Sequence, residues 1–438
     1  MIKLKNSKIF VLGMARSGYE VSKYLSKYDN EIIVTDAKEQ ESSKVQELES
    51  LGIKVVITDK PEELLNKTYN VVIKNPGIKY TNPLIVKANS LSIPVINEVE
   101  AASYFFPENL QVIGVTGSNG KTTTTNLINE MLKAAGKKVI MAGNMGIPVC
   151  SVLNDLDSDT ILLLEISIQQ LCNMNHFKTN VSVLTNLTPT HIDFLDTYEN
   201  YKNTKKRIFN NHTDKDIAIL NLNNNDEIEL TKDIKSHKVY FSSTCNTDIC
   251  INDDYITYFG EKIIKLEDIK LQGMHNYENA CCAIGAVKHY NVDNAAIIKV
   301  LKEFGGVEHR LEYVRTLNNV EYYNDSKATN TVSTTIALKA FNKPTILIMG
   351  GLDRGHSFEP LNDYMKNVKL VVCYGQTKNR IEKWADSLNI AVKVVDNLHD
   401  ATMYANSKAL SGDVILLSPA CASWDQYKCF EDRGTEYK

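Results

Sequence analysis

The sequence predicts an α/β protein of three consecutive domains, each built on a mostly parallel β-sheet. Its 438 residues are enough for about three domains of ordinary size. Short apolar runs rich in β-branched residues alternate with helical patterns along almost the whole chain, which is typical of parallel strands buried on both faces. Polar or glycine-rich loops follow several of these runs, at the positions where α/β sheets bind their ligands.

Charge, hydropathy and cysteine content exclude several classes of protein. Lys and Arg number 49 against 53 Asp and Glu, and the net charge of −4 is too close to neutral for a strong polyanion-binding field, although it allows a local basic pocket; we expect no nucleic-acid partner. A polar N-terminus and the lack of any 18-residue apolar stretch argue against a signal peptide and a membrane-spanning helix, so we expect a cytoplasmic protein with no membrane partner. The nine cysteines form no CxxC pair, which favours free thiols in a reducing compartment over a zinc site or a disulfide framework.

The first predicted domain, residues 1–104, has the element order of a Rossmann-like fold. Its predicted strands are Ile9–Gly13, Ile32–Asp36, Val55–Thr58, Val71–Ile73 and Val95–Ile96, with a helix near Tyr19–Tyr28. The turn after the first strand runs from Gly13 through Arg16 and Ser17 to Gly18, and Asp36 ends the second strand. Because this turn is GxxxxG and not GxGxxG, it favours a pyrophosphate or uridine ligand over a dinucleotide redox cofactor. Asn75-Pro76-Gly77 ends another strand at the same edge.

The second predicted domain covers residues 105–306. Its predicted strands are Val112–Val115, Val139–Ala142, Thr160–Glu165, Val181–Thr185 and Ile217–Leu220, followed by a small antiparallel patch between Tyr240 and Leu271. Helices are predicted at Asn276–Tyr290 and Asn294–Phe304. Gly305-Gly306 then provides a predicted helix C-cap and a domain boundary.

The strongest motif in the chain is a phosphate-binding loop in the second domain. The strand Val112–Val115 leads into TGSNGKTT at residues 116–123 and then into a helical pattern. Glycines in such a loop let the backbone approach phosphate oxygens, while Lys121 can reach the β- and γ-phosphates and Thr122 can ligate Mg²⁺. Val115 stands where the standard motif has a further glycine. The flanking strand and helix still favour ATP or GTP binding over a chance glycine-rich turn.

Three other features of the second domain are weaker when taken alone. Glu165 ends a buried strand, which suits a Mg²⁺ ligand and an exposed strand-end acid equally well. His191 follows the strand Val181–Thr185 by a short loop, and a single histidine there is more often a surface or packing residue. The basic stretch 201–209, which contains Lys205 and Lys206, is typical of the solvated face of a helix.

The third predicted domain covers residues 307–438. Its predicted strands are Val320–Tyr323, Thr345–Met349, Leu370–Tyr374, Val392–Val395 and Val414–Leu417. Polar loops follow three of them, at residues 323–330, 350–355 and 417–426, each with the pattern of a turn and a helix start; Thr329 or Asn330 is the predicted N-cap in the first. Because the ends of parallel strands share one edge of a sheet, three such loops predict a binding site.

Taken in order, these motifs resemble those of the Mur ligases of peptidoglycan synthesis, over almost the whole chain. The most specific are TGSNGKT at 116–122, His191-Ile192-Asp193 with Lys205 fourteen residues after the histidine, HNYEN at 275–279 and His309-Arg310. NDSKATN at 324–330 and SPACASWD at 418–425 are similar to the D-glutamate-adding branch. The resemblance implies a Rossmann-like N-terminal domain, a central P-loop ATPase domain and a Rossmann-like C-terminal domain, in a protein expected to be monomeric.

The resemblance also implies a reaction and its catalytic residues. ATP would phosphorylate the alanyl carboxylate of UDP-N-acetylmuramoyl-L-alanine, and the amine of D-glutamate would then displace phosphate from the acyl phosphate. Lys121 would hold the γ-phosphate, Thr122 and Glu165 one Mg²⁺, and His191 a second Mg²⁺. Lys205 matches the lysine that the family carries as an N-carbamate, a modification that converts a cation into a carboxylate-like metal ligand.

Further binding residues follow from the same resemblance. Implied ATP contacts are Gly117, Ser118, Asn119, Gly120, Thr123, Asn276, Asn279, Arg310 and Asp325. Implied contacts to the nucleotide-sugar substrate are Arg16, Ser17, Asp36, Asn75, Gly77, Asn144, Ser167 and Gln170. Implied contacts to D-glutamate are Lys327, Thr329, Arg354, Ser423, Trp424 and Phe430.

Two other functions stay open at this point. One is a sibling ligase, either another muropeptide ligase or a folylpolyglutamate synthase, although the DNPR motif expected of the meso-diaminopimelate-adding enzyme is absent from this sequence. The other is a nucleotide-binding switch without ligase chemistry. Phosphate release that depends strictly on both substrates separates a ligase from a switch.

Overall fold

The structure is a computed structural model that describes residues 2–189, 195–252 and 254–438. Its internal contacts divide the chain into two compact units, Met1–Phe304 and Gly305–Lys438. The first unit contains two sheets and the second contains one. The three α/β sheets predicted from the sequence are therefore present, while the boundaries predicted near residues 104 and 306 stay predictions.

The first sheet is parallel throughout and has the strand order β3-β2-β1-β4-β5. Its strands are β1 (Lys8–Leu12), β2 (Glu31–Asp36), β3 (Lys54–Ile57), β4 (Val71–Lys74) and β5 (Val95–Ile96). The helices are Arg16–Leu25, Ser42–Ser50, Pro83–Ser90 and Glu98–Ser103, with 3-10 turns at Ser26–Tyr28 and Pro61–Leu64. The ends of β1, β2 and β4 lie side by side, which is the Rossmann-like order expected from the sequence.

The second sheet has nine strands in the order β14-β13-β12-β11-β10-β9-β6-β8-β7. They are β6 (Gln111–Thr116), β7 (Val139–Gly143), β8 (Ile161–Glu165), β9 (Val181–Leu184), β10 (Ile217–Asn221), β11 (His237–Ser242), β12 (Ile249–Ile251), β13 (Tyr255–Tyr258) and β14 (Glu261–Lys265). The helices are Lys121–Ala134, Val149–Val152, Ile168–Leu171, Tyr198–Lys206, Asn225–Leu230, Met274–Lys288 and Asn294–Glu303, with 3-10 turns at Leu153–Asp155, Arg207–Phe209 and Leu266–Asp268. β13 pairs antiparallel with both of its neighbours, β12 and β14, which confirms the predicted antiparallel patch.

The two sheets of the first unit share one apolar core. Leu162 and Leu164 of β8 face this core together with Ile9 and Val34 of the first sheet, while Leu163 faces the opposite core under the helix Met274–Lys288. This alternation follows from the two-residue period of a strand, and every strand residue named here is buried.

Buried carboxylates fasten the first sheet to the second. Glu98 accepts a 2.5 Å hydrogen bond from the backbone N–H of Cys150. Glu100 accepts from the backbone N–H groups of His176 and Phe177, at 2.7 and 3.0 Å. Both carboxylates are buried, so each backbone donor is satisfied across the junction.

The predicted helix cap at Gly305-Gly306 is wrong. The helix Asn294–Glu303 ends with Phe304 in an extended conformation, φ −70° and ψ 102°, and Gly305 directly after it does not have a positive φ. The division between the two compact units does fall here, between Phe304 and Gly305.

The third sheet has the order β15-β16-β20-β17-β18-β19. Its strands are β15 (Glu312–Leu317), β16 (Val320–Asn324), β17 (Thr345–Gly350), β18 (Val368–Tyr374), β19 (Ala391–Val394) and β20 (Val414–Leu417). The helices are Thr331–Lys339, Lys378–Ser387, Leu398–Lys408 and Phe430–Tyr437, with a 3-10 segment at Glu359–Asn367. The antiparallel edge strand β15 was not predicted, and its residues are mostly exposed.

Of the predicted helix starts in this unit, only the first is present where expected. Asn330 is the N-cap of Thr331–Lys339 and accepts from the N–H of Ser333 at 2.9 Å. The loop after β17 leads to a 3-10 segment, and the loop after β20 continues irregularly to Phe430. In the described parts of the chain, no helix has both the length and the apolar character required to cross a membrane.

Candidate active site

The phosphate-binding loop connects β6 to the helix Lys121–Ala134, as predicted. Gly117 and Gly120 have φ angles of +146° and +78°, which L side chains rarely adopt. A Cβ on Gly117 would lie 2.0 Å from Thr185 Oγ1, and one on Gly120 would lie 2.2 Å from Asn279 Oδ1. Both positions therefore favour glycine, because the loop is packed tightly against Thr185, which follows β9, on one side and against the helix Met274–Lys288 on the other.

Hydrogen bonds hold this loop in place from the segment that follows β9. The N–H groups of Ser118 and Asn119 donate to the backbone and side-chain oxygens of Asn186, both at 2.9 Å. Ser118 Oγ lies 3.0 Å from the carbonyl oxygen of Thr188, to which it donates, and 2.8 Å from the hydroxyl of Tyr201. The residues after β9 thus stabilise the conformation of the phosphate loop, in addition to any role in binding.

Two lysines converge on the loop. Lys121 Nζ donates to the carbonyl oxygens of Gly117 and Ser118, at 2.8 and 2.9 Å. Lys205 Nζ donates to Thr116 Oγ1 at 2.8 Å and to the carbonyl oxygen of Gly117 at 3.0 Å. Burial and the neighbouring charge of Lys121 hold the pKa of Lys205 well below its usual range. The structure therefore brings Lys205 to the predicted site.

Lys206, the alternative candidate beside it, has a different environment. Its ammonium is 2.5 Å from Asp233, in an ion pair at the protein surface. The solvated face expected of this basic helix thus holds for Lys206, whereas Lys205 is only 1% exposed.

Glu165 ends β8 in a buried position and is incompletely satisfied. Its Oε1 accepts from Asn144 Nδ2 at 2.8 Å, while Oε2 is buried and has no hydrogen-bond partner among the described residues. A buried carboxylate oxygen without a partner is costly unless a cation or donor occupies the space next to it. Carboxylate and hydroxyl oxygens are the ligands that Mg²⁺ prefers, so Glu165 with the buried hydroxyl residue Thr122 fits a Mg²⁺ site.

Three other predicted site residues of the second sheet are either outside the described residues or have a structural role. His191, predicted as a catalytic residue and metal ligand, lies outside the described residues. Ser167 and Gln170 form a capping box on the helix Ile168–Leu171, with Ser167 N donating to Gln170 Oε1 at 2.9 Å. Their predicted contact with substrate stays a prediction, and their observed role is to fix the chain that leaves Glu165.

Two of the predicted ATP contacts, Asn276 and Asn279, lie on the helix Met274–Lys288. Asn279 Oδ1 accepts from Thr124 Oγ1 at 3.3 Å, so this side chain is buried against the first turn of the phosphate-loop helix. Asn276 Nδ2 donates to the carbonyl oxygen of Gln272 at 2.9 Å at the start of its own helix. Both asparagines are thus on the element that packs against the phosphate loop. Thr123 follows Thr122 in the first turn of the phosphate-loop helix.

The first sheet brings its own predicted residues to one edge. Asp36 Oδ2 accepts from the N–H of Met14 at 2.8 Å, within the turn that begins at Gly13. Asn75 Oδ1 accepts from Gly77 N at 3.2 Å, and a Cβ on Gly13 would lie 3.1 Å from Asn75 Cβ. Gly18 also requires glycine, since its Cβ would lie 1.9 Å from the carbonyl oxygen of Gly13.

Arg16 connects this edge to the second sheet. Arg16 and Ser17 begin the helix Arg16–Leu25, and Arg16 NH1 donates to the carbonyl oxygen of Gly146 at 3.3 Å. Gly146 is two residues from Asn144, which holds Glu165. Arg16 therefore contacts the segment that carries Asn144, two residues before Gly146.

In the second unit, Asp325 lies at the end of β16 and is buried. Its Oδ2 accepts from Ser418 Oγ at 2.7 Å and its Oδ1 from the N–H of Leu311 at 3.2 Å. Burial raises the pKa of Asp325 to about 7, against the lowering effects of these hydrogen bonds and of the nearby Arg310 and Arg433. The backbone segment that carries Arg310 is thereby attached to Asp325.

Three contacts join predicted D-glutamate residues of the second unit. Lys327 Nζ lies 5.5 Å from the centroid of the Phe430 ring, and the N–H of Thr329 donates to the carbonyl oxygen of Lys327 at 2.9 Å. The guanidinium of Arg354 stacks 4.8 Å from the centroid of the exposed Trp424 ring. Ser423 beside Trp424 is buried.

Arg433 is a residue of this site that the sequence did not identify. It is fully buried and donates to Ser326 Oγ, Ser326 O and Cys421 O, at 3.0, 2.7 and 3.1 Å. It thus ties the loop after β16 to the loop after β20. The available signal was an arginine on a short C-terminal helix, which does not by itself indicate burial.

Three family profiles match consecutive parts of the chain. The MurD-like N-terminal domain of the Mur ligases matches residues 7–97, the Mur ligase middle domain matches residues 115–287, and the glutamate ligase domain of the Mur ligases matches residues 309–421. Sequence relatives cover nearly the full length. UDP-N-acetylmuramoylalanine–D-glutamate ligases of Bacillus cereus strain AH187 and Bacillus thuringiensis strain Al Hakam are each 43% identical over 436 residues, which is 99% of this chain and 96% of theirs.

Solved structures share the fold at lower identity. UDP-N-acetylmuramate–alanine ligase of Thermotoga maritima has a TM-score of 0.59 at 19% identity, covering 98% of both chains. MurF of Acinetobacter baumannii has a TM-score of 0.57 at 14% identity, covering 94% of this chain and 92% of its own. These likenesses confirm the fold class predicted from the sequence.

Proposed function

The chain belongs to the Mur ligase family, and we propose that it joins D-glutamate to UDP-N-acetylmuramoyl-L-alanine with hydrolysis of ATP, in the synthesis of peptidoglycan precursors. Relatives of this name are 43% identical over 99% of the chain, and a MurD-like N-terminal domain matches its first sheet. The structural observation that carries the proposal is the phosphate loop with two converging lysines and an unsatisfied buried carboxylate. Cations and a candidate Mg²⁺ ligand around one phosphate loop support phosphoryl transfer over simple nucleotide binding.

The reaction proceeds in two steps on the substrates. The alanyl carboxylate attacks the γ-phosphorus of ATP and ADP leaves, which converts the poor leaving group oxide into phosphate. The amine of D-glutamate then attacks the carbonyl carbon, loses a proton, and phosphate leaves from the tetrahedral intermediate. Both steps gather negative charge on oxygen, so positioned cations supply much of the catalysis.

Lys121 is the cation proposed to act on the γ-phosphate. Its ammonium already lies over the loop, where it donates to two loop carbonyls at 2.8 and 2.9 Å. The N-terminus of the helix Lys121–Ala134 adds N–H groups that have no partner within the helix and a partial positive charge. ATP binding would exchange the carbonyl contacts of Lys121 for phosphate oxygens without a large movement.

Lys205 is proposed to act as an N-carbamate. A neutral amine reacts with CO₂ to form a carbamate and release one proton, and burial of Lys205 favours the neutral amine. The product is an anion in place of a cation beside Lys121, which removes the repulsion between the two groups. Its position at Thr116 and Gly117 leaves it next to the phosphate loop.

Mg²⁺ is the proposed metal, at two sites. Thr122, Glu165 and carbamylated Lys205 would hold it, together with His191, whose placement the structure does not describe. Bound Mg²⁺ supplies neutralisation of the phosphate oxygens during transfer. Glu165 is oriented by its neighbours, since Asn144 holds its other oxygen and the Ser167–Gln170 capping box fixes the following turn.

The remaining substrates are assigned to the other strand ends. The edge with Gly13, Asp36 and Asn75 is proposed to bind the UDP group, and the loops with Lys327, Arg354 and Ser423 the carboxylates of D-glutamate. We propose a monomeric enzyme of the cytoplasm that takes small-molecule substrates, without nucleic-acid or membrane partners.

An amino-acid dependence of ATP hydrolysis tests the function. Phosphate release is measured with UDP-N-acetylmuramoyl-L-alanine and, separately, D-glutamate, L-glutamate, L-lysine or meso-diaminopimelate. We expect release only with D-glutamate and only when the nucleotide-sugar is present. Stimulation by another amino acid would assign a sibling ligase, and slow hydrolysis independent of both substrates would assign a nucleotide switch.

A further inference from the structure

A lysine with no assigned role is buried at the carboxyl edge of the first sheet. Lys74 is the last residue of β4, and only 1% of its side chain is exposed. A buried ammonium is unfavourable unless polar groups replace its water, so its position needs an explanation.

The partners of this ammonium all belong to the turn that follows it. Lys74 Nζ donates to the carbonyl oxygens of Ile78 at 3.0 Å, Pro76 at 3.2 Å and, at longer range, Asn75 at 3.5 Å. It also lies 5.2 Å from the centroid of the Tyr80 ring. No carboxylate of the described chain forms an ion pair with it. The positive charge is therefore solvated by backbone carbonyls and not neutralised.

The same turn carries two residues proposed to bind the nucleotide-sugar. Gly77 N donates to Asn75 Oδ1 at 3.2 Å, and Ile78 N donates to the carbonyl oxygen of Asn75 at 3.1 Å. The backbone N–H of Asn75 donates to the carbonyl oxygen of Leu12 at 2.9 Å, and Leu12 is the residue before Gly13. Because three carbonyl oxygens of the turn accept from the Lys74 ammonium, the turn is held in one conformation next to the loop that begins at Gly13.

We propose that Lys74 is a positioning residue for the nucleotide-sugar substrate. Its ammonium fixes the turn 75–78 in the conformation that receives the diphosphate-linked uridine, and it places an uncompensated positive charge beneath that turn. A diphosphate is dianionic, so such a charge favours its binding over that of a neutral ligand. The inference rests on the proposed function, in which this edge binds the UDP group.

The charge of Lys74 is sensitive to pH in an accessible range. Burial lowers the pKa of Lys74 to about 8, while the Cys172 thiol acts in the opposite direction. The other titratable or charged groups packed there are the Tyr80 phenol and the Arg207 guanidinium, which donates to Cys172 O at 2.9 Å. The ammonium is present below about pH 8 and lost above it, so its contribution to binding disappears as the pH rises.

Titration calorimetry of the full chain tests the inference without turnover. The dissociation constants of UDP-N-acetylmuramoyl-L-alanine and of ATP are measured at pH 7 and pH 9 for the wild type, Lys74→Met and the control Lys87→Met. Lys87 also donates to a backbone carbonyl, that of Glu62 at 2.7 Å, but away from the turn. We expect Lys74→Met to weaken nucleotide-sugar binding about tenfold at pH 7 and to leave ATP binding within about twofold. Lys87→Met should match the wild type.

The pH series separates positioning from a merely structural role. Between pH 7 and pH 9 the wild type should lose most of its tenfold higher affinity for the nucleotide-sugar. The affinity of Lys74→Met should fall only by the amount that ionisation of the uracil ring causes in every variant. Equal nucleotide-sugar affinity of Lys74→Met and wild type, or an equal loss of ATP affinity, would overturn the inference. If the wild type itself does not bind the nucleotide-sugar, the proposed function fails and this inference with it.

A second variant covers the case in which Lys74→Met does not fold. Lys74→Gln keeps an N–H donor without a charge, and cooperative thermal unfolding establishes that it is folded. We expect its nucleotide-sugar affinity to lie between those of the wild type and the methionine variant, with no dependence on pH beyond that of uracil. If neither variant folds, Lys74 is required for the fold itself and the positioning role is overturned.

Discussion

The first unit contains two strand-to-helix loops that differ in how the charged side chains next to them are hydrogen-bonded. Each follows a buried parallel strand and precedes a helix: the turn 13–18 after β1 and the phosphate loop 117–121 after β6. In the first, the Asp36 carboxylate accepts from the N–H groups of Met14 and Lys38, at 2.8 and 3.0 Å. In the second, two ammonium groups share loop carbonyls while one oxygen of Glu165 has no partner within the described chain.

The difference separates a binding loop from a reacting one. Buried polar groups are almost always satisfied, so a site that retains an unsatisfied carboxylate and two adjacent cations is built around ligands that supply the missing contacts. In the turn 13–18 the Asp36 carboxylate already has two backbone donors, so this turn needs only to bind its proposed ligand in a fixed shape. Substitutions in the phosphate loop should therefore reduce catalysis, whereas those in the turn 13–18 should reduce stability or affinity.

Lys121→Ala is expected to have the largest effect on catalysis. Removing the cation that acts on the γ-phosphate should lower kcat by about four orders of magnitude, in the range found for cations that act on transferring phosphoryl groups. Phosphate release with both substrates measures it. Lys133→Ala, at the exposed end of the same helix, is the matched control. Near wild-type turnover would refute the role of the loop.

Lys205→Ala should lower kcat by about three orders of magnitude, because it removes a proposed metal ligand and leaves a cavity beside the loop. Added short-chain carboxylic acids should restore part of the activity by supplying the carboxylate. Lys206→Ala, which loses only the surface ion pair with Asp233, is the control. Full activity of the Lys205 variant, or the same stimulation of the wild type by the acids, would contradict the carbamate.

Glu165→Gln should lower kcat/KM by about a hundredfold and raise the Mg²⁺ concentration needed for half-maximal rate. Glutamine keeps the size and the oxygen that accepts from Asn144, but not the charge. A Mg²⁺ titration of the rate measures this effect. An unchanged Mg²⁺ requirement would show that the unsatisfied oxygen serves another donor.

Gly18→Ala tests the other loop and is expected to have the smallest effect. A Cβ 1.9 Å from the carbonyl oxygen of Gly13 forces the turn to shift, which should lower the free energy of unfolding by about 2 kcal/mol. Urea unfolding measures this change. Gly136→Ala is the control, because its new Cβ would have no atom within 4 Å and its only strain would come from the positive φ. A loss of kcat without a loss of stability would erase the distinction between the two loops.

The sequence predicted most strands and both loops because burial and periodicity are local signals. Lys205 was preferred to Lys206 only through the resemblance to a family, since a basic helix gives no local sign of which lysine is buried. Arg433 was missed because its partner Ser326 is 107 residues away. The strand β15 was missed because an exposed edge strand has little apolar pattern. The carbonyls around Lys74 belong to the backbone, which leaves no mark in the sequence.

The two buried glutamates that fasten the first sheet to the second have a consequence for dissecting the protein. A fragment that starts after residue 104 would leave the N–H groups of Cys150, His176 and Phe177 without acceptors and expose the shared core. A chimera that exchanges the proposed nucleotide-sugar-binding sheet between relatives therefore has to transfer Met1–Phe304 as one piece. Otherwise it has to keep both glutamates together with the backbone segments whose N–H groups they accept from.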